Sequence, residues 1–376
     1  MTAIEPVSSG RGLRRFIRVP ARVRRPGDGT RAPFLDLERK QHLGRDNPFF
    51  AHVEAQYFLA TRDGDAVGRI SAQLDRLAQP RSGPPIAHFG LLEAADSEAL
   101  HALLDAAEEW ARAQDAERLT GPFSLTINDE VGLRVAGFDE PVRMLMNDAP
   151  AWYADAVEAA GFHGVQDLVA YDFDPTRPLP RRARRMAEQT AAEPAVRERP
   201  IDPAHLHTEL RTIIDIFNDA WAENWGFVPM TADEVGALVA TLRPLIKADM
   251  VRIAEVEGEP AAMIVALPDL NEALRGLNGR LLPLGWAKLL WRLKVRGVSG
   301  GRVLLMGVRR AYRDTPVGRG LPLLLIERLH HAVAGHGITD LELSWVLDDN
   351  QPTRRVIETV GGVLSKRYRV YAKDIA

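Results

Sequence analysis

The chain has 376 residues, 48 Lys and Arg against 51 Asp and Glu for a formal charge of −3, and no cysteine. Without cysteine there is no thiol nucleophile, thiolate metal site or disulfide, and a near-neutral balance argues against a dedicated nucleic-acid binder. The length fits two domains at about 150 residues each, and a composition 46% hydrophobic and 26% charged is that of a globular chain. No apolar run approaches the ~18 residues of a membrane span, and MTAIEPVSSGRGLRR (1–15) has no apolar leader core. A cytoplasmic protein, in solution or peripheral on the inner face of the inner membrane, is expected.

In chain order, FLATRDGDAVGRISA (58–72) is a hairpin signature: strand, tight turn at Asp63-Gly64-Asp65, strand. A helix follows over Ala99–Arg112, where Leu100, Leu103, Leu104, Ala107, Trp110 and Ala111 share one face behind a cap at Asp96 or Ser97. The polar segment Ser124–Glu130 comes next, after Gly121-Pro122. A helix over Ala151–Ala160 is stopped by Gly161. Residues 172–203, rich in Pro, Arg and Ala, are expected to be a linker carrying a short surface helix over Arg181–Ala192. Helices at 204–222 and 231–247 precede a second hairpin, RIAEVEGEPAAMIVA (252–266), turning at Glu257-Gly258-Glu259. A strand at 302–308, a helix at 319–335, a strand at 338–346 and a helix over Pro352–Val360 stopped by Gly361 complete the pattern.

The two hairpins match at an offset of 194 residues, and AGFHGVQDLVAYDFD (160–174) matches VGGVLSKRYRVYAKD (360–374) at an offset of 200. Two matches in the same order indicate duplication. The expected organisation is therefore a first domain over 1–180, a linker over 181–200 and a second domain over 201–376. The element order gives an α/β (α+β) fold, each domain a mixed sheet flanked by helices on both faces.

Charge is uneven along the chain. Ala273–Arg313 contains no Asp or Glu but ten basic residues. Within it, Pro283–Arg296 patterns as a helix with Lys288, Arg292 and Arg296 on one face and Trp286, Leu289, Leu290 and Leu293 on the other. A basic amphipathic insertion at about 273–300 with a boundary Trp fits an anionic membrane surface.

The stretch LLMGVRRAYRDTPVGRGLPLLLIERLHHAVAGHGITDLELSWVLDDNQPTRRVIETVGG (304–362) resembles the GNAT acyltransferase core: strand, R-x-x-G-x-G-type loop opening a helix, strand, and an Asn-started helix ending in Gly. The resemblance implies acyl-CoA as co-substrate, with no other cofactor and no metal. Its diphosphate would lie on amides at a glycine-rich helix start, here Val317, Gly318, Arg319 and Gly320 with Arg313. Met306, Gly307 and Val308 would flank the thioester, and Asn350 the pantetheine arm. The chain departs from the family at Pro316, which has no N–H to donate, and at Ile357, where a Tyr acid is common.

Beyond that stretch, FIRVPARV (16–23), NPFFAHVEAQYFLA (47–60), GRISAQLD (68–75), GPFSLTINDEVGLRV (121–135), FNDAWAENWGFVP (217–229) and ELSWVLDDN (342–350) resemble a bacterial tandem-GNAT group. That group includes the bacterial ceramide synthases and is often labelled pyrophosphohydrolase, although the chain has no Glu-rich metal box. It implies transfer of a fatty acyl chain from acyl-CoA, or an acyl-carrier protein, to the amine of a long-chain sphingoid-type base. The rival readings are a GNAT enzyme for a small soluble amine and a catalytically silent acyl-CoA or lipid-binding protein.

N-acyl transfer needs a base for the amine. The strand 303–308 carries no carboxylate, so Glu342, on the neighbouring strand among apolar residues, is the first candidate. His52, Asp129 and Glu130 are the alternatives. Asp348 and Asp349 sit at the strand end, with Asp349 suited to cap the next helix. Asn128, Trp221, Trp225, Trp286 and Tyr371 are candidates for substrate contact.

Overall fold

Both hairpins form, with the same turn. In the computed structural model, which describes residues 1–24, 35–80 and 84–376, Asp63 and Gly64 have φ of 51° and 83°, and Glu257 and Gly258 have 54° and 85°. Paired positive φ is the type I′ geometry whose twist matches the flanking strands.

The chain divides into two units, and neither is one continuous stretch. The first contains Met1–Leu168, Leu274–Trp286 and Lys366–Ala376; the second contains Val169–Ala273 and Ala287–Ser365. The first unit holds β1 (Ala3–Pro6), α1 (Gly10–Val23), α2 (Asp36–His42), β2 (Val53–Arg62), β3 (Asp65–Asp75), β4 (Ile86–Ala94), α3 (Ser97–Arg112), β5 (Arg118–Gly121), β6 (Leu133–Ala136) and α4 (Trp152–Ala159). Strand β7 (His163–Phe173) starts there and ends in the second unit. That unit continues with α5 (Arg181–Ala191), β8 (Val196–Pro200), α6 (Leu206–Trp221), α7 (Ala232–Leu242), β9 (Val251–Val256), β10 (Glu259–Pro268) and all but the last residue of α8 (Leu270–Leu274). After α9 (Gly285–Trp291) come β11 (Gly300–Val308), α10 (Arg310–Arg313), α11 (Pro316–Gly335), β12 (Asp340–Leu347) and α12 (Gln351–Thr359). The last strand, β13 (Val363–Asp374), runs back into the first unit.

Residues 181–200 are thus elements of the second unit rather than a linker. Ala183 and Ala187 of α5 are buried in that unit's core, which Pro-rich flanks had hidden in the sequence. The final eleven residues also join the first unit, where β13 pairs antiparallel with β5.

Strand topology repeats. In the first unit β1, β2, β3 and β4 are antiparallel neighbours and β4 pairs parallel with β5. In the second, β8, β9, β10 and β11 are antiparallel and β11 pairs parallel with β12. Each parallel-edge strand also carries a one-residue bulge, between the partners of Arg69 and Ser71 and of Val265 and Ala266.

Helices cover both faces of each sheet. In the first unit Leu100, Leu103 and Leu104 of α3 pack on Ala60 and Ile70, while Phe16 and Val19 of α1 pack with Leu59, all fully or almost fully buried. In the second, Leu321, Leu325 and Leu329 of α11 face Ala254 and Ile264, and Ile213, Ile216 and Phe217 of α6 face Ile253 and Met263. Each such Leu, Ile or Phe contributes about 1.5–3 kcal/mol by leaving water. Among the described residues no helix is long and apolar enough to cross a membrane.

Candidate active site

The ladder between β11 and β12 is short. It runs from Gly300↔Asp340 to Val303↔Leu343 and stops, with Leu304 bulged where β11 shifts register against β10. Leu304–Val308 and Ser344–Leu347 therefore diverge as the two arms of a fork. Because β11 is antiparallel to β10, alternate N–H and C=O groups of its upper half point away from β10, into the fork. Leu304, Leu305, Met306 and Val308 are half-buried. At Gly307 the wall is thin: a Cβ would lie 2.6 Å from the Trp221 ring, which stacks over Phe217 at 4.8 Å. Of the candidates Met306, Gly307, Val308 and Trp221, the structure sets Gly307 against the Trp221 ring; Trp225 is half-buried beyond the end of α6.

At the fork's vertex sits a buried polar triad. Glu342 is fully buried, and its Oε1 accepts from the Ser344 hydroxyl. Arg302 donates through Nε to Ser344 Oγ at 2.9 Å and through Nη2 to the Ser344 carbonyl at 3.2 Å, with Nε 3.9 Å from Glu342 Oε1. The sequence placed Glu342 among apolar neighbours, but parallel register sets Arg302 opposite it. Arg302 and Ser344 were missed. The signal was a lone Arg in the apolar run 302–308 and a Ser two residues after Glu342, on the same strand face.

The glycine-rich loop is a helix cap. Thr315 accepts from the Gly318 N–H at 3.0 Å, its carbonyl accepts from the Arg319 N–H at 3.2 Å, and Pro316 has no N–H. A Cβ on Gly318 would lie 1.9 Å from the Tyr312 carbonyl, and one on Gly320 would lie 1.9 Å from Thr190 Oγ1 on α5. Both glycines thus serve close packing. Arg313 reaches Glu223 at 3.3 Å and the Ala220 carbonyl at 3.2 Å. The expected phosphate cradle of Arg313, Val317, Gly318, Arg319 and Gly320 is, in this structure, largely engaged by the protein itself. The Thr-Pro pair before the glycines was the readable sign of a cap. Asn350, not Asp349, caps α12, accepting from Thr353 N–H at 3.2 Å. Asp348 pairs instead with Arg354 at 2.7 Å.

The first unit's corresponding fork is filled by its own chain. Its parallel ladder covers Ile86↔Arg118 to His88↔Thr120. Beyond it the Phe123 N–H donates to the Phe89 carbonyl at 2.8 Å, and the fully buried Gln73 donates to the carbonyls of Phe123 and Leu125, each at 3.1 Å. A Cβ on Gly90 would fall 1.5 Å from the Phe123 carbonyl oxygen, so only glycine fits there. The segment 122–132 that carries Asn128, Asp129 and Glu130 forms this plug. Glu130 is buried against Arg39 at 2.7 Å and Ser124 at 3.0 Å, and Asp129 lies 3.6 Å from His42. Tyr371 is buried elsewhere in this unit, donating to Glu158 at 3.2 Å, and burial followed by the Glu158 charge pushes its hydroxyl up to about 12.

His52 follows the short turn Pro48–Ala51. Its Nδ1 is 2.9 Å from Asp75, and its ring lines a cleft of about 420 Å³ with Arg45, Phe50, Arg76, Trp110 and Gln114. Trp286, expected to touch substrate, is more than half exposed. Among the described residues no three His, Asp or Glu are placed to hold a metal ion.

Repeated sheets, helices on both faces and a splayed parallel pair make this a tandem GNAT-fold protein. A tandem GNAT protein from the clavulanic acid biosynthesis pathway superposes with a TM-score of 0.60 at 14% identity, covering 100% of this chain and 99% of that one. A GCN5-related glucosamine N-acetyltransferase region of a fungal GH3 β-N-acetylglucosaminidase gives 0.59 at 14% identity, over 99% of this chain and 38% of that one. No family model matches the sequence. Among curated proteins, the chain is 42% identical to the bacterial ceramide synthase of Caulobacter vibrioides (strain NA1000 / CB15N), over 99% of this chain and 97% of that protein. It is 40% identical to protein YghO of Escherichia coli (strain K12), over 96% and 93%. The chain belongs to the tandem GNAT-like acyltransferase family of these two proteins.

Proposed function

We propose that the protein transfers a fatty acyl group from a thioester donor, acyl-CoA, to the amine of a long-chain sphingoid-type base, giving a ceramide-like amide. The observation that carries this reading is the open fork of the second unit. The Leu304–Val308 edge, which does not pair with β12, matches an extended amide-bearing arm such as pantetheine, and Leu304, Leu305, Met306 and Trp221 offer it an apolar lining. The near-full-length identity to a protein named ceramide synthase supports a lipid amine as acceptor.

In the reaction the amine nitrogen attacks the thioester carbonyl carbon, the C–N bond forms, the C–S bond breaks, and one proton passes from the amine to the leaving thiol. With no cysteine in the chain, the amine attacks the donor directly and no acyl-thioester forms on the enzyme. Inward-facing amides of β11 stabilise the developing oxyanion. Thiolate is a good leaving group, so Ile357 in place of a Tyr acid is tolerable and amine deprotonation is the demanding step. The Glu342–Ser344–Arg302 triad fixes the vertex from which both arms diverge.

A second reading of the donor is favoured by one observation: the loop amide of Gly318 and the Arg313 guanidinium are already paired within the chain. That suits a donor gripped through its acyl-pantetheine arm, as on an acyl-carrier protein, rather than through a free diphosphate. The test is mass spectrometry of products from a long-chain amino alcohol with either fatty acyl-CoA or fatty acyl-carrier protein, without metal or nucleotide. Amide from at least one donor supports the reading. Product from acetyl-CoA and soluble amines alone would replace it with a small-amine enzyme, and no product from any pair would leave a silent binding protein.

A further inference from the structure

We infer that residues 282–296 form a wedge that seats the protein on an anionic lipid surface. The segment belongs to an excursion whose neck is pinned: Glu272 Oε2 accepts from the Ser299 and Gly300 N–H groups at 2.9 and 3.0 Å, and Arg292 donates to the Ala273 carbonyl at 2.7 Å. In the flanking chain, Leu274, Leu277 and Val298 are buried. Tight closure continues toward the tip, where the Trp286 N–H donates to the Leu281 carbonyl at 2.8 Å.

The tip turns its apolar side chains outward. Leu282, Leu284 and Val295 are 80%, 72% and 71% exposed, and Trp286, Leu290 and Trp291 are each more than half exposed. These six are half of the twelve large hydrophobic side chains that lie exposed among the described residues, gathered in 14 consecutive positions. Isolated exposed apolar residues need no explanation, but a cluster marks an interaction site. The helix is shorter than the sequence pattern implied: α9 ends at Trp291 and a π-turn, Arg292–Arg296, follows. The wider turn breaks the Lys288/Arg292/Arg296 stripe, and Arg292 folds back onto the base of the excursion.

Lys288, Lys294 and Arg296 are exposed within the segment, Arg275 and Arg280 are exposed just ahead of it in the chain, and no carboxylate lies within Ala273–Arg313. A second copy docking on this patch would bring two such cationic rims together, which is repulsive. An anionic bilayer meets both halves of the pattern: the Leu and Trp side chains enter the headgroup boundary, where Trp is favoured, and the basic rim stays with the headgroups. Surface docking would also bring the enzyme to an amine substrate that partitions into lipid.

The test is co-sedimentation of the full chain, without substrate, with vesicles of phosphatidylcholine alone or mixed with phosphatidylglycerol. It therefore succeeds or fails independently of the acyl-transfer reading. Binding should be at least ~10-fold stronger to the mixed vesicles, at about 1 kcal/mol for each nearby basic residue, and should fall as salt rises. Leu282→Ser with Leu284→Ser and Trp291→Ser should abolish binding to both vesicle types. Lys288→Gln with Lys294→Gln and Arg296→Gln should remove only the phosphatidylglycerol preference. Failure of the wild-type protein to bind either vesicle would overturn the proposal, as would binding undiminished in the serine variant. So would a concentration-dependent dimer that the serine variant disperses.

Discussion

Two forks of the same topology meet opposite fates in one chain. In the first unit the arms part after His88↔Thr120, and the next residues of the chain turn in to fill the gap, with Phe123 against Gly90 and Gln73 stapling the plug. In the second unit the arms part after Val303↔Leu343, and the chain beyond β12 instead starts α12 at its Asn350 cap. Counting rungs from the start of each ladder, the third is His88 opposite Thr120 in one unit and Arg302 opposite Glu342 in the other. In one unit the chain fills the gap beyond the ladder, and in the other it leaves Leu304, Leu305, Met306 and Val308 half-buried. The same strand order thus accommodates two different returns of the chain beyond the parallel ladder.

The largest expected effect breaks the plug. Gly90→Val places side-chain atoms inside the Phe123 backbone, so the first unit should lose about 4 kcal/mol or more in a denaturant melt. Leu304→Ala, two residues past the equivalent rung in the open fork as Gly90 is in the closed one, should cost under about 2 kcal/mol because Leu304 is only half-buried. Equal costs would mean that the forks do not differ as described.

Glu342→Gln sharpens the vertex. Removing a buried carboxylate charge 3.9 Å from the Arg302 guanidinium should lower stability, by up to about 3–5 kcal/mol. A direct base role would instead lower kcat by roughly 10²–10⁴ with an unchanged melting temperature. Exchanging both Arg302 and Glu342 for Met should recover part of the lost stability, which loss of a base could not.

Much of this architecture was legible in the sequence, because it rests on local signals. Asp-Gly and Glu-Gly turns, the Leu face behind Asp96, and the glycines at 161 and 361 each act within a few residues. The closed fork was not legible, since Gly90 and Phe123 lie 33 positions apart and only tertiary approach shows why glycine is required. The loop before α11 misled for a related reason. Its glycines have the spacing of a phosphate cradle, yet their missing side chains make room for Tyr312 and Thr190. Arg302 and Glu342 were visible as residues, but their partnership depends on parallel register, which the pattern of either strand alone does not fix.

Acid should act on the closed fork. Burial pushes the His88 imidazole down to about 4 from an ordinary 6.5, and its ring meets Phe123 edge-on at 5.0 Å. Below about 6.5 the unfolded chain takes a proton that the folded unit refuses, so this residue lowers stability progressively from about pH 6.5 to about pH 4 and has no such effect above. His88→Phe should flatten that part of a stability–pH curve measured by chemical denaturation. An unchanged slope would remove His88 from the account.

The smallest effect concerns the donor. Because Arg313 is half-exposed and already paired with Glu223, Arg313→Ala should weaken acyl-CoA binding by less than about fivefold in calorimetry, the range of an exposed ion pair. A loss of tenfold or more, the ~1.5–3 kcal/mol of a charge-assisted contact, would return Arg313 to the phosphates.

Whether the second fork, and not the first, takes the donor is decided by amide hydrogen exchange with a non-hydrolysable fatty acyl-CoA analogue. Added ligand should slow exchange in residues 304–308 and 344–347 and leave 88–94 and 121–131 unchanged. Protection of 88–94 and 121–131, with 304–308 and 344–347 unaffected, would contradict donor binding in the second fork.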